Sequence, residues 1–167
     1  SWDAIALFRE FGILRELLPN LDQALANDDC AGRIQETFRR VDREFQEGRE
    51  LSAAVILLAT HLELIPEDAV SDFQKIRVII GELFGRIGAT RREREQMEQI
   101  MVTAVKLFQA TGRTQAIRSL VGRPHFEEAL QLIELTSANP DGEECVVFWR
   151  GASPRRRHHS GRRSGQP

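Results

Sequence analysis

RSLVGRPHFEEALQLIEL, from Arg118 to Leu135, is the stretch on which the reading of the fold turns. Pro124 stands where a helix can use a residue with fixed φ and no N–H, and Phe126, Ala129, Leu130, Leu132 and Ile133 then recur at helical spacing. The pattern predicts a packed helix, the last of the chain. Beyond it the sequence changes character and ends in SPRRRHHSGRRSGQP, Ser153 to Pro167, with no large apolar side chain after Trp149. A folded body is therefore expected to hand over to a basic tail.

Working back towards the amino terminus, the same periodicity recurs. Trp2, Ile5, Ala6 and Phe8 share a helical face, Gly12 suits a left-handed stop, and Ile13 to Leu18 forms a separate short helix closed by Pro19. Asn27 to Gly32 is turn-like in composition, and Arg33 to Gln46 follows with Ile34, Phe38, Val41 and Phe45 at intervals of three and four. Gly48 ends that helix. Leu51 to Leu64 opens as LSAAVILLATHLEL, apolar on nearly every face, which is the signature of a helix at the centre of a bundle. After Pro66, Glu67 and Asp68 suit a first turn, and Val70, Phe73, Ile76, Ile80, Leu83, Phe84 and Ile87 continue one helix to Gly88. Thr90 and Glu93 frame a capping box for a helix that runs to Gly112, and a shorter one spans Thr114 to Val121. No strand is convincing and no repeat at a fixed period occurs. The expected class is all-α, an irregular bundle of seven to eight helices with a disordered basic C-terminal tail.

Composition fits that class. The chain has 167 residues, 41% hydrophobic and 29% charged, which suits one soluble globular unit. No apolar run approaches the roughly 20 residues that cross a membrane, and the first residues lack a signal-peptide pattern, so a cytoplasmic location and no membrane partner are expected. Cys30 and Cys145 are too few for a disulfide framework or a thiolate metal cage. The net charge of -2 hides a split: residues 1–149 hold 17 of the 23 cations and all 25 acids, a balance of -8, whereas residues 150–167 carry +6 and no acid. Such a split suits a polyanion-binding or self-docking appendage on a self-sufficient domain.

Catalytic constellations are missing. There is no phosphate-binding glycine loop, no dinucleotide fingerprint, no H-E-x-x-H pair and no nucleophile elbow. Asp28 and Asp29 read as turn residues, His61 as a core histidine, and Glu127 and Glu128 as acids serving a helix dipole. His158 and His159 do not make a preorganised metal site. Trp149 suits either a core position or a stacking surface for a nucleobase. The informative cation is arginine, 21 residues against Lys75 and Lys106 alone, because a guanidinium matches phosphate geometry and stacks on bases. Most body arginines have acids at helical spacing. The exceptions are Arg91, Arg92 and Arg94 at one helix start and Arg113, Arg118 and Arg123 near another, which form one patch if those helix ends converge. In the tail, nothing balances Arg155, Arg156, Arg157, Arg162 and Arg163.

Three segments resemble the carboxy-terminal part of bacterial poly(A) polymerases, members of the nucleotidyltransferase superfamily that also holds the CCA-adding enzymes. LFREFGILRELLP, Leu7 to Pro19, looks like the family's helical RNA-binding region, where a leucine-rich helix breaks at a small residue and resumes before a proline. RPHFEEALQLIELTSANPDGEECVVFWRG, Arg123 to Gly151, is similar to its P-x-F helix, acidic linker and terminal aromatic pair, and SPRRRHHSGRR, Ser153 to Arg163, to its arginine-rich end. The resemblance implies that residues 1–48 end the RNA-binding body, 49–149 form a C-terminal helical domain and 150–167 are an arginine-rich tail. It implies a parent that uses ATP and Mg to add adenylate to RNA 3′ ends, through carboxylates in an amino-terminal head that this sequence lacks. The resemblance implies that the fragment itself is a non-enzymatic holder of single-stranded RNA 3′ ends, with no cofactor or metal of its own, and that RNA-decay proteins are its further partners. A CCA-adding parent, or a helical protein-interaction module with a basic tail, are the alternative expectations.

Overall fold

The computed structural model describes residues 2–70, 72–137 and 139–152, apart from the side chain of Glu67. Among these residues there are eleven α-helices, two short 3-10 turns and no strand, so the all-α class holds. The helices are α1 (Trp2–Glu10), α2 (Ile13–Leu17), α3 (Pro19–Ala24), α4 (Asp28–Gln46), α5 (Ala53–His61), α6 (Glu67–Val70), α7 (Phe73–Gly85), α8 (Arg91–Ala110), α9 (Ile117–Val121), α10 (Phe126–Thr136) and α11 (Pro140–Ala152).

The count exceeds seven to eight because several breaks are made by caps that periodicity does not register. Gly12, at φ +71°, separates α1 from α2 as its position suggests. Pro19, expected only to close a helix, instead opens α3 at a position where its missing N–H is harmless. Asp72 accepts hydrogen bonds from the N–H groups of Gln74 and Lys75, and so starts α7 afresh rather than letting α6 run on. The turn-like Asn27 to Gly32 is in fact the beginning of α4: Asn27 caps it by accepting from the Cys30 N–H at 3.0 Å, with Asp28 and Asp29 in the first turn. The expected capping box at Thr90 is present in both directions, Glu93 N–H to Thr90 and Thr90 N–H to Glu93.

Two groups of buried side chains hold the fold. The larger joins α5, α7, α8, α10 and α11; Val55, Leu58, Ile80, Phe84, Ile100, Leu107, Ala129 and Leu130 are fully enclosed there. The smaller consists of Leu14, Leu21, Leu25, Ile34 and Phe38, with Trp2 and Ile5 half-buried at its edge. Helix α4 serves both, giving Ile34 and Phe38 to the small cluster and Val41 to the large one.

The largest departure from expectation is α11. Phe126 to Thr136 is not the last packed helix, because Cys145 and Trp149 of α11 are wholly buried and Trp149 Nε1 donates to the Leu107 carbonyl at 3.0 Å. The Trp149 ring also meets Phe126 and Phe148 edge to face, with centroids 6.1 and 5.0 Å apart. That settles Trp149 as a core residue. At its start, Asn139 accepts from the Gly142 N–H at 2.8 Å, and Gly142 lies so near α10 that a Cβ there would sit 2.0 Å from Ser137 Cβ. The helix runs to Ala152, so Arg150, read with the tail, belongs to it and pairs with Glu127 and with Glu134 at 2.8 Å.

Candidate nucleic-acid interface

The basic residues singled out from sequence lie on α8 and on the connection from α8 to α10. Helix α8 has 20 residues and is therefore about 30 Å long, which puts Arg91, Arg92 and Arg94 at one end and Arg113 beyond the other. Arg113 therefore stands apart from Arg91, Arg92 and Arg94. Arg91 is drawn to Glu95 at 2.8 Å, and Arg94 lies over Gly85 at the end of α7, where a methyl group would come within 3.4 Å of Nη1. Arg92 is exposed and makes no ion pair among the described residues.

The connection then runs back along α8. Gln96, in the first half of α8, donates through Nε2 to Glu128 at 2.8 Å, and His125 bonds the other oxygen of the same carboxylate. Arg123, two residues before His125, is thereby carried towards the Arg92 half, while Arg113 stays near the far end. His125 is the one non-glycine residue with positive φ among those described, at 63°, so α10 starts at Phe126 rather than at Pro124. A left-handed residue cannot continue a right-handed helix, and the bond to Glu128 helps hold it there. Burial pushes the Glu128 carboxyl up, but bonds from His125, Ser52 and Gln96 outweigh it and hold the group below its ordinary range.

One feature of this stretch matches no motif. From Gln99 to Phe126 the chain has no aspartate or glutamate, yet it carries Lys106, Arg113, Arg118 and Arg123. Arg113, Arg118 and Arg123 are exposed and in no ion pair among the described residues, while Lys106 is half-buried. Several other surface cations are matched, Arg33 with Glu63 at 2.7 Å, Arg40 with Glu36 at 3.3 Å and Arg150 with two acids, whereas Arg15, Arg86 and Arg92 are, like these three, exposed and in no ion pair among the described residues. The signal lay in missing acids rather than in a run of bases. Arg155, Arg156, Arg157, Arg162 and Arg163 lie outside the described residues.

Elsewhere the chemistry is structural. His61 is buried, its Nδ1 bonded to the Leu57 carbonyl at 2.9 Å, and burial lowers its pKa to about 4 against a small opposing effect of that carbonyl. Glu98 is buried 3.8 Å from the Arg77 guanidinium. Among the described residues no three or more His, Cys, Asp or Glu side chains are grouped to hold a metal ion, and no helix is long and apolar enough to cross a membrane. No family model, curated protein or solved structure matches this chain.

Proposed function

We propose that this chain is the RNA-holding part of a poly(A) polymerase of the bacterial type, a non-catalytic element that retains single-stranded RNA 3′ ends for a catalytic head supplying the ATP and Mg chemistry. The observation that carries the reading is the acid-free segment from Gln99 to Phe126, with Arg113, Arg118 and Arg123 exposed and uncompensated on a body that is otherwise acidic. A polyanion is attracted where cations are not neutralised by neighbours, and arginine adds bidentate phosphate contacts and base stacking. The tail arginines extend the same chemistry.

Binding of a fluorescent oligoadenylate, followed against salt, tests this. Neutralising about five phosphates gives a log-log slope of roughly -3.5 for a single strand, and three more add about -2. Deleting residues 153–167, which leaves α11 whole, removes the first contribution; the triple variant R113Q/R118Q/R123Q removes the second. Salt-independent binding, or binding unaffected by both changes, refutes the proposal.

A second reading has its own observation. Leu7 and Phe8 of α1, Phe11 of the turn that follows, and Ile13 and Leu17 of α2 are between 41% and 71% exposed, more apolar surface than so short a segment ordinarily leaves bare. It favours a protein-interaction module. Tight protein association without RNA retention would select it over the first.

A further inference from the structure

His61 stands at the seam between the two hydrophobic clusters. Its Nδ1 meets the Leu57 carbonyl at 2.9 Å, so that nitrogen carries the proton and Nε2 presents a bare lone pair. Nε2 is buried without a hydrogen-bond partner among the described residues. The ring is only 3% exposed and lies edge-on to Phe84 at 5.1 Å. It borders a void of about 10 Å³, room for one water, whose other walls are Leu17 to Leu21 of the α2–α3 segment and Glu82, Leu83 and Arg86 of α7. Glu82 and Arg86 are the charged groups in that lining, and both are exposed at its rim; α2 and α3 contribute none. Glu63, in the turn that follows α5, is engaged with Arg33 at 2.7 Å.

We propose that His61 makes this seam an acid-sensitive joint, at which α1–α3 lifts from the main bundle while α5, α7, α8 and α10 stay folded. Protonation puts a second N–H on a ring that borders a void walled on one side by Leu17, Leu18, Pro19, Asn20 and Leu21. Closed, the joint offers the new donor no protein partner and space for a single water; opened, it gives it bulk solvent. The segment that must move is the weakly held one, since α1 has no buried residue and α2 and α3 bury only Leu14 and Leu21. The joint owes nothing to the RNA reading and stands or falls separately.

Burial holds His61 near 4 in the closed joint, against an ordinary 6.5 once it meets water. The closed form therefore binds fewer protons between those values, and closure weakens as pH falls below 6.5, the loss being complete near 4. Between pH 7.5 and pH 5 the opening equilibrium shifts by roughly 25- to 30-fold.

Amide exchange on the full chain, corrected for the intrinsic pH dependence of exchange, reads this directly. Protection of Leu18, Asp22 and Leu25, whose N–H groups bond Leu14, Leu18 and Leu21, is expected to fall by that factor, while protection within α8 and α10 holds. His61→Gln should abolish the pH dependence. Should H61Q fail to fold, L21A on the wild-type background serves instead: it lowers protection of the same amides at every pH and leaves the pH-dependent factor unchanged. Parallel loss in both regions, no loss at pH 5, or a loss that persists in H61Q overturns the proposal.

Discussion

Truncating Trp149 is the most informative single perturbation, because it asks at once whether α11 belongs to the core and whether the terminal aromatic serves RNA. The indole is fully enclosed, and removing it to alanine deletes its packing against Phe126 and Phe148 together with the bond to the Leu107 carbonyl. Large-to-small changes at such aromatic sites cost about 3–5 kcal/mol. With a urea dependence of about 2 kcal/mol per molar, W149A should lower the unfolding midpoint by roughly 2 M, followed by circular dichroism. Trp149→Phe separates the components. It keeps most of the ring and loses the donor, and the Leu107 carbonyl retains the Thr111 hydroxyl at 2.9 Å, so the expected cost is only about 1 kcal/mol. RNA affinity in W149F should match wild type. A midpoint shift under 0.5 M in W149A, with a tenfold loss of RNA binding in W149F, would show a stacking surface and refute the placement of α11 in the core.

Three other outcomes follow from local geometry. Gly142→Ala should cost at least 2 kcal/mol in thermal melts, since its Cβ would lie 2.0 Å from Ser137 Cβ, and Ser137→Gly in the same chain should restore much of it. Thr90→Ala removes one side of the capping box and is expected to cost about 1 kcal/mol, a fall of roughly 2–4 °C in melting temperature. Glu128, held below its ordinary range, contributes stability that is present above its unfolded value and fades as pH falls through the folded one; E128Q should flatten that acid limb in urea titrations across pH 3 to 6.

The contrast between α10 and α11 shows what was legible in the sequence. Phe126, Ala129, Leu130 and Ile133 announce their helix because the buried residues are themselves large and apolar at the right period. In α11 the buried positions are Gly142, Cys145 and Trp149, spaced correctly but with a glycine as the contact, while Val147 is 72% exposed. Periodicity in hydrophobicity cannot see a contact made by having no side chain. The short helices were hidden for a related reason: Pro19, by its missing N–H, and Asp72, by its carboxylate, act on backbone groups and leave the apolar spacing almost intact. As for the candidate interface, the arginines were visible, but their division along a rod of about 30 Å was not, since it depends on how far α8 runs before the chain turns back.

The sharing of α4 between two sets of packed side chains bears on how the protein can be observed. The chain has two tryptophans and no tyrosine, and the structure deals one to each set: Trp2 beside Phe38 at 6.0 Å, Trp149 beside Phe126. Intrinsic emission is thus a two-channel record, in which the half-buried indole follows the amino-terminal helices and the enclosed one follows the main bundle. Comparing wild type with W2F recovers each channel without any added label, so partial and complete unfolding can be told apart in one cuvette.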